Sequence, residues 1–286
     1  MDRSSGSVDS PPDLGINRAH TARVSNYFLG GKDHYDLDKL AAEQVIAAFP
    51  HVRTAARENR AFLARYARHL ALAGIDQVLD VGCGIPHEPH LHQIVQEVTP
   101  AARVVYVDND PIVGAHARAL LVGTPEGRVA YVDADLTDSA SILTAPALTD
   151  TLDLTRPVGV SLMAVLHFVG DERAYEIVAA LRQGLPPGSC LGLSHATGDF
   201  DEAGTAAVVK IYREHGIDVH LRTRDEVAPF FTGLDLLDPG IVPAHRWLPG
   251  NGEEQPRGEG VASLADRLDS RVSLYAGVGR IPQVHR

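Results

Sequence analysis

Two cysteines in 286 residues cannot build a disulfide framework, so a reducing compartment, the cytoplasm, is the expected setting. Cations are also in deficit: 26 Lys and Arg stand against 37 Asp and Glu, a formal net charge of −11. That balance argues against a broad basic face for a phosphate backbone, and nucleic acid is not an expected partner. No run of some eighteen apolar residues occurs, nor a charged-then-apolar leader, so neither a membrane span nor a signal peptide is indicated. No internal repeat is visible. What the chain does have is apolar bulk, 44% of its residues, enough for one large α/β core with an extension.

Short apolar runs at 77–81, 103–108, 128–132, 157–162 and 189–194 read as strands. They alternate with helical stretches at 89–98, 112–122, 139–145 and 171–184. Such alternation means βαβ units, a parallel sheet and right-handed crossovers. Residues 1–14, rich in Ser, Asp and Pro, are expected to be a disordered tail. A short helix within 17–29 stops at Gly30-Gly31, a second spans 36–49, and a longer one covers 54–73 before Gly74. These make a helical cap over 15–74, ahead of the main domain at 75–286. Helices at 203–214 and 225–231, a strand near 234–237, a mobile loop at 249–260 and a last strand at 273–278 complete the reading.

Gln77-Val78-Leu79-Asp80-Val81-Gly82-Cys83-Gly84 ends a strand in Gly-x-Gly, where the missing Cβ atoms let the backbone approach a ligand. Val104-Val105-Tyr106-Val107-Asp108 ends the next strand in a carboxylate, two acceptor oxygens suited to a pair of ribose hydroxyls. Both turns lie at the carboxyl ends of strands, where open α/β sheets bind ligands. A dinucleotide dehydrogenase needs a third glycine and a helix start free for pyrophosphate. Here His87 takes the third position, and Pro86 and Glu88 flank it. Asp80 instead suits a ligand with an ammonium group.

The chain resembles the class I S-adenosylmethionine-dependent methyltransferases. Asp80-Val81-Gly82-Cys83-Gly84 is similar to their first motif, Asp108-Asn109-Asp110-Pro111 to their second and Val129 to Leu136 to their third. Val158 to Phe168 resembles their fourth strand with its apolar-His tail, and Gly184 to Ser194 their fifth. More narrowly, Asn26-Tyr27-Phe28-Leu29-Gly30-Gly31-Lys32-Asp33 and Tyr275-Ala276-Gly277-Val278-Gly279-Arg280 are similar to segments of a methyltransferase family abundant in actinomycetes. The resemblance implies a Rossmann-like, mostly parallel seven-stranded sheet, with helices on both faces, an antiparallel C-terminal edge strand and an N-terminal helical cap. It implies S-adenosyl-L-methionine as cofactor and methyl transfer to an unidentified small-molecule acceptor. A non-catalytic module that binds S-adenosylmethionine or S-adenosylhomocysteine is the alternative.

The implied cofactor contacts are Asp80, Gly82, Gly84, Asp108, Asn109, Asp135, the amide of Leu136, and Ala164. Asp110 before Pro111 reads as a helix N-cap. Tyr27, Gly30, Lys32 and Tyr35 are expected in a lid over the cofactor, the bland alternative being a hinge between two helices. Arg60 is expected to meet a carboxylate in the pocket, or else to form a surface ion pair with Glu58 or an interhelical partner. His167, at the end of the fourth strand, is a general-base candidate whose alternative role is packing. Cys83, His87, His90 and His92 cluster in sequence without a regular zinc spacing, so no metal is expected.

Overall fold

The computed structural model describes residues 14–248 and 264–283; all but the last residue of the tail expected at 1–14, and the loop expected at 249–260, lie outside the described residues. Three cap helices come first, α1 (Thr21–Phe28), α2 (Asp36–Ala48) and α3 (Val52–Leu72). The alternating body follows: β1 (Gln77–Val81), α4 (Leu91–Val98), β2 (Arg103–Asp108), α5 (Pro111–Leu120) and β3 (Arg128–Asp133). Two short helices, α6 (Ser139–Thr144) and α7 (Pro146–Thr149), lead to β4 (Gly159–Met163), α8 (Asp171–Gln183) and β5 (Cys190–Ala196). The last part holds α9 (Glu202–Glu214), α10 (Arg224–Val227), β6 (Asp235–Leu236), β7 (Val242–Pro243), α11 (Leu264–Val272) and β8 (Leu274–Arg280).

The sheet runs β3-β2-β1-β4-β5-β8-β6, with β7 also paired to β8. β1 to β5 are mutually parallel and β8 is antiparallel to β5. Two expectations are corrected here. The sheet has eight strands rather than seven, because Val242–Pro243 adds a two-residue pairing too short to leave a pattern in sequence. The antiparallel C-terminal strand is also not at the edge, since β6 pairs along its outer side.

Each central strand is buried on both faces, so it reads as an unbroken apolar run rather than an alternation. Leu79, Val105 and Leu162 feed one core beneath α8, while Val78, Val104 and Val278 feed the other beneath α3 and α4. α3 lies against the sheet through Tyr66, whose hydroxyl donates to the carbonyls of Val160 (2.8 Å) and Cys190 (3.1 Å). A Cβ on Gly192 would sit 2.7 Å from the Tyr66 ring, so this close approach requires glycine. The cap is joined to the body by a third core, in which Val24, Phe28, Ala41 and Val45 meet Tyr212 and Val219.

Candidate functional site

A cavity of about 420 Å³ lies between the cap and the carboxyl ends of β1, β2, β3 and β4. At its floor the turn after β1 runs through Gly82 and Gly84, at φ +72° and +68°. Only glycine takes that region without strain. A Cβ on Gly82 would also come 2.5 Å from Val165. The amide of Gly84 donates to one Asp108 oxygen at 2.8 Å and the amide of Asp110 to the other at 3.0 Å. Each oxygen keeps a lone pair, so the carboxylate can still accept from two neighbouring hydroxyls. Burial raises the Asp108 pKa, against the pull of those two amides.

Asp80, beneath the same turn, is buried but borders the cavity, and burial pushes its carboxyl up to about 6. The neighbouring Ser161 hydroxyl and the Arg60 guanidinium oppose that rise, while Asp108 adds to it. Arg60 reaches over from α3 and donates to the carbonyls of His87 (2.7 Å) and Pro89 (2.8 Å). It therefore braces the chain after the glycine turn and lines the cavity. These hydrogen bonds run to backbone carbonyls after the first turn, whereas the sequence led to the expectation of a ligand carboxylate or an ion pair with Glu58 or an interhelical partner.

Asn109 donates to Asp135 at 2.8 Å, tying the turns after β2 and β3 together. Asp135 also receives the amide and hydroxyl of Thr137, and these bonds hold it below the usual carboxylate range despite partial burial. Leu136 is buried in the same wall. At the end of β4, Ala164 stands at φ +53°, a region that costs a non-glycine residue about 1–3 kcal/mol. Its amide donates to both the hydroxyl (2.9 Å) and the carbonyl (3.1 Å) of Ser194, and the Ser194 hydroxyl donates to Asn59 on α3.

His167 follows on a single 3-10 turn, Leu166–Phe168, and its ring lines the cavity. Its Nδ1 is buried with no partner among the described residues. Burial, reinforced by His195 and Arg222, holds its pKa well below the ordinary histidine value, so the ring is neutral. Arg222, itself buried, was not legible in the sequence. It donates to the carbonyls of Leu166 (3.1 Å) and Val169 (3.0 Å) on either side of the turn, and to Asp171. His195 Nδ1 lies 2.8 Å from the Ala196 carbonyl and so carries the proton, leaving Nε2 to accept from Arg222 at 2.7 Å. Burial drives His195 down to about 3.

The expected lid residues are placed elsewhere: Tyr27, Gly30, Lys32 and Tyr35 do not line the cavity. Tyr27 donates to Glu43 at 3.0 Å, and Tyr35 begins α2. The glycine pair ends α1. Gly30 sits at φ +85°, the Gly31 amide donates to the Asn26 carbonyl, and a Cβ on Gly31 would collide with the Asn26 side chain. The cap meets the cavity through α1 instead, with Thr21, Ser25, Asn26 and Phe28 in the wall. Asp110 anchors this helix. It caps α5 by accepting from the Ile112 amide and also accepts from Arg23 (2.8 Å) and His20 (2.9 Å). Burial alone would raise its pKa, but the His20 and Arg23 bonds hold it at about 2.

The cysteine and histidines near the first turn do not converge. His92 is engaged at both ring nitrogens, by the Tyr106 hydroxyl and the Val122 carbonyl, while Cys83 and His87 face the cavity. Among the described residues no group of three His, Cys, Asp or Glu is placed to hold a metal, and no helix is long and apolar enough to cross a membrane.

Residues 7–282 match the family described as S-adenosyl methyltransferase. The chain is similar to the crystal structure of a DUF574 family protein from Streptomyces avermitilis, at 44% identity, covering 94% of this chain and 100% of that one, with a TM-score of 0.86. It is similar also to a putative methyltransferase from Thermobifida fusca, at 34% identity, covering 97% and 100% of the two chains, with a TM-score of 0.83. None of the functionally curated proteins matches it. With almost its whole length matched and the acidic and glycine turns gathered at one cavity, the chain belongs to the S-adenosyl methyltransferase family.

Proposed function

We propose that the cavity serves methyl transfer from S-adenosyl-L-methionine to a small-molecule acceptor held between the cap and the sheet. The cofactor follows from the family; the acceptor's class and the residue roles are this reading's own. The residues present fit the cofactor. The cradle at Gly82 leaves no room for a Cβ, and Asp108 has acceptor capacity left for two hydroxyls. Asp80 would pair with the cofactor's ammonium, Asp135 and the Leu136 amide would meet the adenine edge, and Asn109 would steady Asp135. Ala164 would face the cofactor at the end of β4.

When bound, the cofactor supplies a methyl group already activated on a sulfonium. What remains for the chain is to hold an acceptor in line and to exclude water. α1 and α3 cover the turns, and the clamp of Arg222 on the carbonyls beside His167 fixes that ring at the cavity wall. A neutral imidazole can accept a hydrogen bond from the acceptor, and because burial depresses its basicity the ring would orient the acceptor more than take its proton.

The observation that carries the proposal is the cavity's extent. It continues from the cofactor turns past His167 to α9 and residues 217–221, leaving space a binding module would not need. A small acceptor also agrees with the scarcity of cations. The test is incubation with S-adenosylmethionine and a panel of phenols, amines and carboxylates, with S-adenosylhomocysteine followed by mass spectrometry. Product above background with one acceptor class supports transfer. Tight cofactor binding with no product across the panel returns the chain to the non-catalytic reading.

A further inference from the structure

The ionisable groups around the cavity are unevenly spread. Asp80, Asp108, Asp135 and His87 belong to the turns after β1, β2 and β3, and Arg60 braces the first of them. His20 is taken up by Asp110 at 2.9 Å. The side chains that line the remaining wall, from α1, the start of α3, α9, Val219, Leu221 and residues 272–274, include no carboxylate, guanidinium, ammonium or imidazole; Asp218 and His220 are not among them. Phe28, Phe49, Val208, Tyr212 and Leu221 are typical of it. Where this wall meets the cofactor turns stands His167, with the Phe168 ring 4.3 Å away and Tyr212 6.0 Å beyond Phe168, set edge to face. Rings in that arrangement leave faces and edges for a further ring.

The wall's neutrality is enforced. A charged ligand group would lose its hydration there and find no opposite charge. The ionisable side chains of this region are themselves kept uncharged, since burial raises the Tyr212 phenol and depresses His167. The buried Arg222 cation behind His195 further disfavours a proton on His167. Its remaining polar groups are partly used internally. Thr205 donates to the Asp201 carbonyl, and Asn59 accepts from Ser194.

We infer that this chamber takes an uncharged, flat aromatic molecule bearing one hydroxyl, with the His167 ring as its polar contact. The inference rests on the methyl-transfer reading and narrows its acceptor. The probes are three of one shape: 2-naphthol, 6-hydroxy-2-naphthoate, and the corresponding aminomethyl cation. Each is titrated into full-length protein saturated with S-adenosylhomocysteine and followed by calorimetry and ligand fluorescence. 2-Naphthol is expected to bind saturably, and each charged analogue at least about tenfold more weakly, the scale set by burying an unpaired charge. Leu221→Lys, which puts a cation in the wall, should close or invert the gap for the naphthoate; retained binding of S-adenosylhomocysteine shows that the variant is folded. Wild-type protein that binds either ion as tightly as 2-naphthol overturns the inference, and so does wild-type that binds none of the three. If 2-naphthol binds but is never methylated in the presence of S-adenosylmethionine, nor is any other acceptor, the methyl-transfer reading fails while the ligand class stands.

Discussion

Asp80 and Asp108 are buried carboxylates on adjacent strands, yet their partners divide the work between them. Asp108 is organised by two backbone amides and keeps acceptor capacity, so Asp108→Ala should cost about 1.5–3 kcal/mol of cofactor binding, some ten- to hundredfold by calorimetry. Asp80 has no such pair of amides, and burial pushes its carboxyl up to about 6. It must be ionised to meet an ammonium, so below that pH binding has first to expel a proton. Affinity for S-adenosylmethionine should therefore fall as pH drops through about 6, approaching tenfold per unit, and Asp80→Asn should flatten this limb. A wild-type affinity constant from pH 7.5 to 5 would remove Asp80 from the ammonium role. Both aspartates were legible in sequence because each ends an apolar run. Arg222 was not, because nothing local marks a lone arginine that folds back 56 residues to the Leu166 carbonyl.

Elements were legible where their own residues decide them. β1 to β5 and α2, α3, α8 and α9 lie within a few residues of their sequence-read positions. β7 was not, since two residues carry no period, and the interior place of β8 depends on pairing with distant β6. The Gly30-Gly31 segment was legible as a break, but not which side of α1 faces the cavity; that is set by the long-range bond of Arg23 to Asp110. Arg23 is 1% exposed and sits between Asp110 and Asp38. Arg23→Met should leave buried carboxylates short of a cation and cost about 3–5 kcal/mol in urea unfolding. Arg68→Met removes only an exposed pair with Glu97 and should cost less than about 1 kcal/mol. Ligand should act on the same element. S-adenosylhomocysteine is expected to slow hydrogen exchange across Thr21–Phe28 and to leave Gly30–Tyr35 unchanged. Protection confined to Gly30–Tyr35 would restore the lid expected from the sequence.

At the scale of the whole molecule, the cavity is where the cap and the sheet meet, so a ligand there should stabilise both as one unit. The third core, with Val24 and Phe28 against Tyr212 and Val219, already couples them. Ligand at one hundred times its dissociation constant adds about 2.7 kcal/mol by mass action. At roughly 2–4 °C per kcal/mol for a chain of this order of size, the melting temperature should rise by several degrees. The single tryptophan, Trp247, is fully buried with its ring 5.3 Å from Phe62 of α3, so its fluorescence reports the body of the fold. Far-ultraviolet circular dichroism reports all helices, including α1 and α2. The two signals should melt together, and S-adenosylhomocysteine should shift both equally. In Asp108→Ala the shift should shrink at the same ligand concentration and return when ligand is raised ten- to hundredfold, the factor lost with the ribose bonds. A dichroism transition that moves while the Trp247 transition stays fixed would mean that the ligand orders the cap alone, and that the body's stability does not depend on the filled cavity.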